Sequence, residues 1–269
     1  MVKVLNEENH ALRLLEEGFI LDNKVGYELS LLAKYYIHRQ GLNRPQTKDK
    51  LIEFCNTHLE NFDAINWRNT INKSVENGKK LNFINVNEVA ITESELNVIT
   101  SIKSSRCQKI LFVLLVIAKT NNKLNKLVAK QKNKDYEDMY YVNDSISSIV
   151  KLSKTSLKSD ERYKILKELQ DLGYIEVTTK GKFKINIVNN SSEIKLHINR
   201  LDDFIYDYLE YIGQKVKVCE GEGCNKRILI KGASPKKYCK ECKKEIEKEK
   251  IRKRVEKHRK NHKNENCNG

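Results

Sequence analysis

Four cysteines carry the clearest chemistry in this chain: Cys219, Cys224, Cys239 and Cys242, spaced C-x4-C-x14-C-x2-C. They are four of the seven cysteines, gathered into residues 219–242. Thiolates supplied in pairs by two tight turns make the tetrahedral sulfur set that zinc (Zn2+) prefers. Gly221 and Gly223 free the first turn, and Asn225 tolerates the left-handed conformation after Cys224. Residues 227–230 read as a strand, 232–235 as a turn, and Lys237-Tyr238 as the return to the second pair. Unpaired or redox-active thiols are the alternative reading of this spacing. A unit this small buries little apolar surface, so a bound metal would supply most of its folding energy. Cys55 and Cys107 lie in apolar helical surroundings and read as core thiols, while Cys267 lies in a polar tail. His258 and His262 have helical i,i+4 spacing, but Arg259, Lys260 and Lys263 beside them would repel a cation.

The second chemistry is charge. The 269-residue chain has a formal charge of +15. Residues 215–263 hold 19 Lys/Arg against 7 Glu, whereas residues 1–214 hold 32 Lys/Arg against 28 Asp/Glu. The positive field therefore belongs to the C-terminal part, where it would attract a polyanion: DNA, RNA or an acidic membrane surface. Within the basic tail, 243–269, candidate phosphate contacts are Lys243, Lys244, Arg252, Lys253, Arg254, Lys257, Arg259 and Lys260. Glu249/Lys253 and Glu256/Lys260 offer modest helix support, but the tail's only apolar positions are Ile246, Ile251 and Val255. Such a segment is at best marginally helical before it meets an anion. A solubilising tail is the alternative.

These residues must be positioned by a mainly α chain, since only two prolines, Pro45 and Pro235, interrupt it. Residues 1–90 read as a helical domain. One helix runs over 8–19 with Leu12, Leu15 and Phe19 on one face, ending near Gly18. Another covers 27–40, followed by Gly41. A third, with Thr47 just before it, covers 51–59, and a fourth carries Trp67, Ile71 and Val75 and ends near Gly78. A boundary is expected at 85–104. Residues 106–119 then form an apolar helix, and the polar stretch 120–138 reads as an exposed loop or loose helix. A linking helix is expected over 200–213, before the cysteine unit at 215–242.

Residues 105–190 show the most regular pattern. A short strand at 140–142 is followed by Asn143 and Asp144 as helix caps, then by Ile146, Ile149 and Val150. A second helix, capped by Ser159, has Ile165, Leu166, Leu169 and Leu172 as one stripe and ends at Gly173. Two alternating strands follow, with Ile175 and Val177 facing Phe183, Ile185 and Ile187.

Three resemblances follow from these residues. Leu31-Leu32-Ala33, Gly41-Leu42-Asn43, 51–56 and 67–74 together resemble the helical primase C-terminal domain of phage and plasmid replication proteins. The order helix, strand, helix, turn, helix, hairpin, with Leu166-Lys167-Glu168-Leu169-Gln170-Asp171-Leu172-Gly173-Tyr174-Ile175 at its end, resembles a winged helix-turn-helix. Tyr238-Cys239-Lys240-Glu241-Cys242 resembles half of a zinc ribbon, whose usual first pair is C-x2-C rather than C-x4-C. The winged-helix resemblance implies that Tyr163, Lys164 and Lys167 reach base edges, and that Lys180, Lys182 and Lys184 hold phosphates from the wing. Asp160 and Asp171 share the helix face. The whole arrangement resembles phage and mobile-element proteins of Gram-positive bacteria.

The chain lacks G-x-x-x-x-G-K-[ST], H-x-H, G-x-S-x-G and H-E-x-x-H, and shows no carboxylate cluster suited to two metals. A binding protein rather than an enzyme is expected. Residues 1–20 are too polar for a secretory signal, and the apolar run 110–118 is too short to span a bilayer, so a cytoplasmic protein without a membrane partner is expected. The expected ligand is double-stranded DNA, in replication initiation or transcription control alongside the proteins of those processes. An RNA-binding protein, or an adaptor or inhibitor docked on a host nucleic-acid enzyme, remain the rivals.

Overall fold

The computed structural model describes residues 4–21, 23–179, 181–201, 203–230 and 236–265, with backbone alone for 257–265. The chain divides into two compact units, Met1–Asp202 and Asp203–Gly269. The stretches 1–90 and 105–190 both fall in the first unit.

That unit opens with four helices: α1 (Glu7–Glu17), α2 (Val25–His38), α3 (Arg44–His58) and α4 (Ala64–Lys80). Asn6, Asn43 and Asp63 start three of them by accepting a first-turn N–H on the side chain. Asn43 and Gln46 cap each other reciprocally, so α3 begins well before Leu51, with Pro45 in its first turn where a missing N–H costs nothing. Gly78 stands two residues before the end of α4, near the expected stop. It lies where α4 crosses α2, and a Cβ there would sit 2.7 Å from the Ala33 Cβ and 2.9 Å from the Lys34 N. Leu14, Leu29, Leu32, Leu51, Ile71 and Val75 form the core of this helical cluster.

The chain continues through β1 (Val89–Thr92), α5 (Glu93–Ser101), α6 (Ser105–Gln131), β2 (Tyr141–Val142), α7 (Ile146–Leu152), α8 (Ser159–Asp171), β3 (Ile175–Val177), β4 (Phe183–Ile185) and β5 (Ile194–Ile198). The stretch expected to be a boundary thus holds a strand and a helix, and β1 pairs antiparallel with β5. The remaining strands form one sheet in the order β2-β4-β3, with Ile175 opposite Ile185 and Val177 opposite Phe183 as the alternation predicts.

The polar stretch after Thr120 is not a loop. It extends α6 to Gln131, and Thr120, Asn121 and Asn122 are buried. Thr120 and Asn122 have their side-chain polar groups bonded, whereas Asn121 uses its Nδ2 and its Oδ1 meets no partner among the described residues. The Asn121 Nδ2 donates to the Tyr141 carbonyl at 2.7 Å, while the Asn122 Oδ1 accepts the Met139 N–H at 2.7 Å and the Tyr136 hydroxyl at 3.0 Å. Two adjacent amides on α6 therefore clamp the segment leading into β2. Ser145, not Asn143 or Asp144, caps α7. Ser159 is the first residue of α8 rather than its cap, and the Lys158 N–H donates to Glu161 at 2.8 Å. Ile165, Leu166 and Leu169 are buried, but Leu172 is exposed at the helix end.

A buried ion pair joins these elements. Lys119 on α6 reaches both oxygens of Glu95 on α5, at 2.7 and 2.8 Å. The Glu95 carboxylate also accepts the N–H groups of Thr92 and Asn189, each at 2.9 Å, so its lone pairs are well matched. Burial lowers the Lys119 pKa against the opposing pull of Glu95.

The second unit contains α9 (Ile205–Tyr211), β6 (Val216–Val218), β7 (Arg227–Leu229) and α10 (Lys240–Glu265). β6 and β7 form an antiparallel hairpin. Within the linking helix expected over 200–213, α9 covers Ile205–Tyr211, and its Ile205, Tyr208 and Leu209 are buried with Phe204. Among the described residues, no helix is long and apolar enough to cross a membrane.

Candidate metal centre and nucleic-acid surfaces

The hairpin and the long helix bring the four cysteines together. Cys219 follows β6, Cys224 precedes β7, Cys239 immediately precedes α10 and Cys242 lies in its first turn. Their four sulfurs lie within 4.8 Å of one another, and Cys224 Sγ to Cys239 Sγ is 3.9 Å. That is far beyond a disulfide bond. It matches the roughly 3.8 Å between sulfurs arranged tetrahedrally around an ion with bonds of about 2.3 Å.

Local backbone explains the convergence. Gly223 has φ +66°, and the Cys224 N–H donates to the Gly221 carbonyl at 3.0 Å, closing the first turn. Gly221 passes close beneath the second pair, where no side chain would fit. The Cys239 N–H donates to the Cys219 Sγ at 3.1 Å, the Gly221 N–H to the same sulfur at 3.4 Å, and the Cys242 N–H to the Cys239 Sγ at 3.4 Å. The sulfurs thus act as acceptors. Cys239 plays the part of an N-cap, and the positive end of the α10 dipole faces its sulfur.

Burial pushes the Cys219 thiol up, but the N–H groups of Cys239 and Gly221 outweigh it and draw the thiol down to about 7. Cys242 is pushed up to about 12, because it shares protons with Cys239 and Cys224. The Cys219 thiolate forms readily while the Cys239 and Cys242 thiols are pushed up, and a divalent cation among the sulfurs removes that conflict. The donor set fits a tetrahedral metal ion.

No protein-family model matches the chain, and no curated protein or solved structure does either.

What steadies the hairpin is Arg227, which the sequence pattern places only at the start of a strand. Its guanidinium donates to both Asp203 oxygens at 2.9 and 3.0 Å and to both Asp207 oxygens at 2.6 and 3.1 Å, with Glu210 at 3.6 Å. It also lies 5.7 Å from the Tyr206 ring centre. The planar fork of an arginine suits two carboxylates on successive turns. Asp203, Asp207 and Glu210 recur at helical spacing, and that acidic stripe was the available signal.

α10 is one continuous helix of 26 residues, about 39 Å long at 1.5 Å per residue. Its charge is graded: residues 240–249 hold four Lys against four Glu, and residues 250–263 hold eight Lys/Arg against one Glu. Lys243 lies 3.7 Å from Glu247, while Arg252 and Lys253 lie 2.9 and 3.5 Å from Glu249. Lys244 and Arg254 make no ion pair among the described residues. The side chains of Lys257, Arg259 and Lys260 lie outside the described residues, as do Cys267 and the expected turn at 232–235.

In the first unit, Tyr163, Lys164 and Lys167 are exposed together on α8. Each lysine stands beside an acid, Lys164 at 3.9 Å from Asp160 and Lys167 at 3.4 Å from Asp171. Lys184 lies 3.5 Å from its cross-strand neighbour Glu176. Lys182 is half-buried and pairs with no carboxylate among the described residues. Lys180 lies outside them.

Proposed function

We propose that this chain binds double-stranded DNA, with zinc in the four-cysteine site. The observation that carries the reading is the root of α10 in those cysteines. The thiolates and the helix stabilise each other at its N-terminal end, and the helix carries its uncompensated cations outward, where phosphates neutralise them. Four thiolates with N–H donors to their sulfurs favour zinc over hard cations, which prefer oxygen. A reducing compartment such as the cytoplasm keeps such thiols available.

The succession from α6 to β4, with its sheet β2-β4-β3, supports reading that part as a winged helix. In this reading α8 presents Tyr163, Lys164 and Lys167 to base edges, and the β3–β4 hairpin presents Lys182 and Lys184 to phosphates. The resemblance to phage and mobile-element proteins extends the proposal to replication initiation or transcription control, by binding rather than catalysis.

The test is a salt titration of binding to a duplex, to single-stranded RNA of the same sequence, and to the duplex with K250Q/R252Q/K253Q/R254Q protein. Removing one phosphate-bound cation should flatten the log–log slope by about 0.9. An unchanged slope would remove α10 from the interface, and tighter binding to RNA would transfer the proposal to RNA.

A further inference from the structure

The first unit contains a cleft of about 760 Å³, and of the residues that line it the DNA reading uses only Lys182. One side comes from the N-terminal part through Lys24 and Tyr27. The other comes from α6, from the clamped segment before β2, and from the β3–β4 hairpin. Tyr27, Tyr136, Tyr141 and Met139 line it, and Tyr27 and Met139 are 37% and 48% exposed. Large apolar side chains left accessible in a concavity, rather than singly on a convex surface, mark a binding site.

Its polar groups are of two kinds. Lys24 and Lys182 both line the cleft, and neither pairs with a carboxylate among the described residues. The one carboxylate there, Glu7, is neutralised by Lys34 at 2.6 Å and accepts the Ile84 N–H at 2.9 Å. Two ammonium groups thus stand in the cleft against one ion-paired carboxylate, and the surface lysines Lys126 and Lys184, by contrast, have carboxylate partners. Asn125 and Asn143 add amides that make no internal hydrogen bond among the described residues and can each donate and accept. The aromatic walls are not loose: Asn122 fixes the Tyr136 hydroxyl and the Met139 N–H, and Asn121 holds the Tyr141 carbonyl.

Aromatic walls ask for a flat ring, free amides for a ring edge with donors and acceptors, and two unpaired ammonium groups for an anion. We propose that the cleft binds a nucleotide unit, its base among the tyrosines and its phosphate between Lys24 and Lys182. Base–aromatic stacking tolerates any base, and the amides supply preference. Two sources offer this chemistry, a free mononucleotide or an unpaired residue of a strand. The assignment does not depend on duplex binding by α10 or α8.

The experiment is calorimetry on the whole chain with uridine 5′-monophosphate, adenosine 5′-monophosphate, uridine and a six-residue single-stranded DNA. It is paired with photo-crosslinking of 4-thiouridine 5′-monophosphate and peptide mapping. Saturable binding of a mononucleotide is expected, weakened about tenfold or more by K24Q/K182Q, with uridine far less sensitive to that change. Crosslinks should fall on peptides bearing Tyr27, Tyr136 or Tyr141. If the oligonucleotide binds with these properties and the mononucleotides do not, the source is a strand. Thermal unfolding of K24Q/K182Q at the wild-type temperature guards against a folding defect, and the crosslink map of the wild type needs no variant. No binding of any of the four, binding indifferent to K24Q/K182Q, or crosslinks confined to other peptides would overturn the assignment.

Discussion

A Cβ on Gly221 would lie 2.6 Å from the Sγ of Cys242, across the first cysteine turn from the second pair. The absence of a side chain at this one position lets the C-x4-C turn close over the start of α10. Gly223, two residues on, is required for a different reason, its φ of +66° with open space around it.

G221A should therefore injure the metal site directly, lowering zinc affinity by roughly 10–100-fold, the range seen when groups supporting metal ligands are changed. G223A should strain the turn by about 1–2 kcal/mol and cost affinity only to that extent. Competition with a chromophoric chelator measures both. Equal affinities for wild type and G221A would mean the sulfurs do not hold a metal in this geometry.

Metal analysis should find about one zinc per chain, lost in C239S and C242S and retained when Cys55 or Cys107 is changed. Chelation should open the Cys219 thiol to alkylation at neutral pH, ahead of the other cysteines of the site. Cys55 and Cys107 should stay unreactive until the chain unfolds, because burial pushes each thiol up to about 11. Their native pKa values lie above the ordinary value of 9.0, so the stability they contribute is complete below pH 9 and is lost as pH rises through 11. Denaturant midpoints that fall across that window in wild type, and fall less in C55A, would bear this out. A midpoint that rises there would contradict it.

Arg227 should be worth more to the second unit than any of its exposed ion pairs. R227M removes the guanidinium that bridges Asp203 and Asp207 and should destabilise the unit by about 3–5 kcal/mol. R227K should recover only part of this, since an ammonium cannot fork between two carboxylates. The readout is the denaturant concentration at which zinc is released. Release at the wild-type concentration from R227M would show that the fork is incidental.

On α8, K164A/K167A should lower the ratio of specific to non-specific duplex affinity, at a cost of roughly 1–3 kcal/mol for each base edge no longer read. K184A should weaken both kinds of binding alike, because phosphate contacts carry little sequence information. Competition between a selected site and scrambled duplex separates the two. An unaltered ratio in K164A/K167A would leave α8 as a protein-docking face, consistent with the acids Asp160 and Asp171 beside its lysines.

Much of the helical cluster was legible locally. Apolar residues at i, i+3 and i+4 marked α2 and α4, and alternation marked which residues of β3 and β4 face each other, because those patterns report which side of an element meets the core. On α1 the pattern misled at Leu12, which is exposed while Ala11 and Leu14 are buried. The cysteine spacing was legible for a similar reason: ligands within one turn lie close in sequence as well as in space. Helix ends were less so. Asn43 started α3 ahead of Thr47, and Ser145 rather than Asn143 or Asp144 capped α7, a choice made by which side-chain oxygen meets a first-turn N–H.

By itself the sequence determined that the chain is mainly helical, that four thiols are paired for a metal, and that its positive charge is concentrated C-terminally. Those are properties of neighbours along the chain. The tertiary structure decided everything that joins distant residues. Gly78 became a helix crossing because Ala33 lies against it, and Asn121 and Asn122 became core because the 136–142 segment needed partners for its polar groups. Residues 89–92 became a strand because 194–198 supplied the edge. Lys119 found Glu95 and Arg227 found Asp203 for the same reason. A charged side chain pattern reads as solvated surface until folding removes water from it, and only the folded chain brings up the opposite charge that makes its burial tolerable.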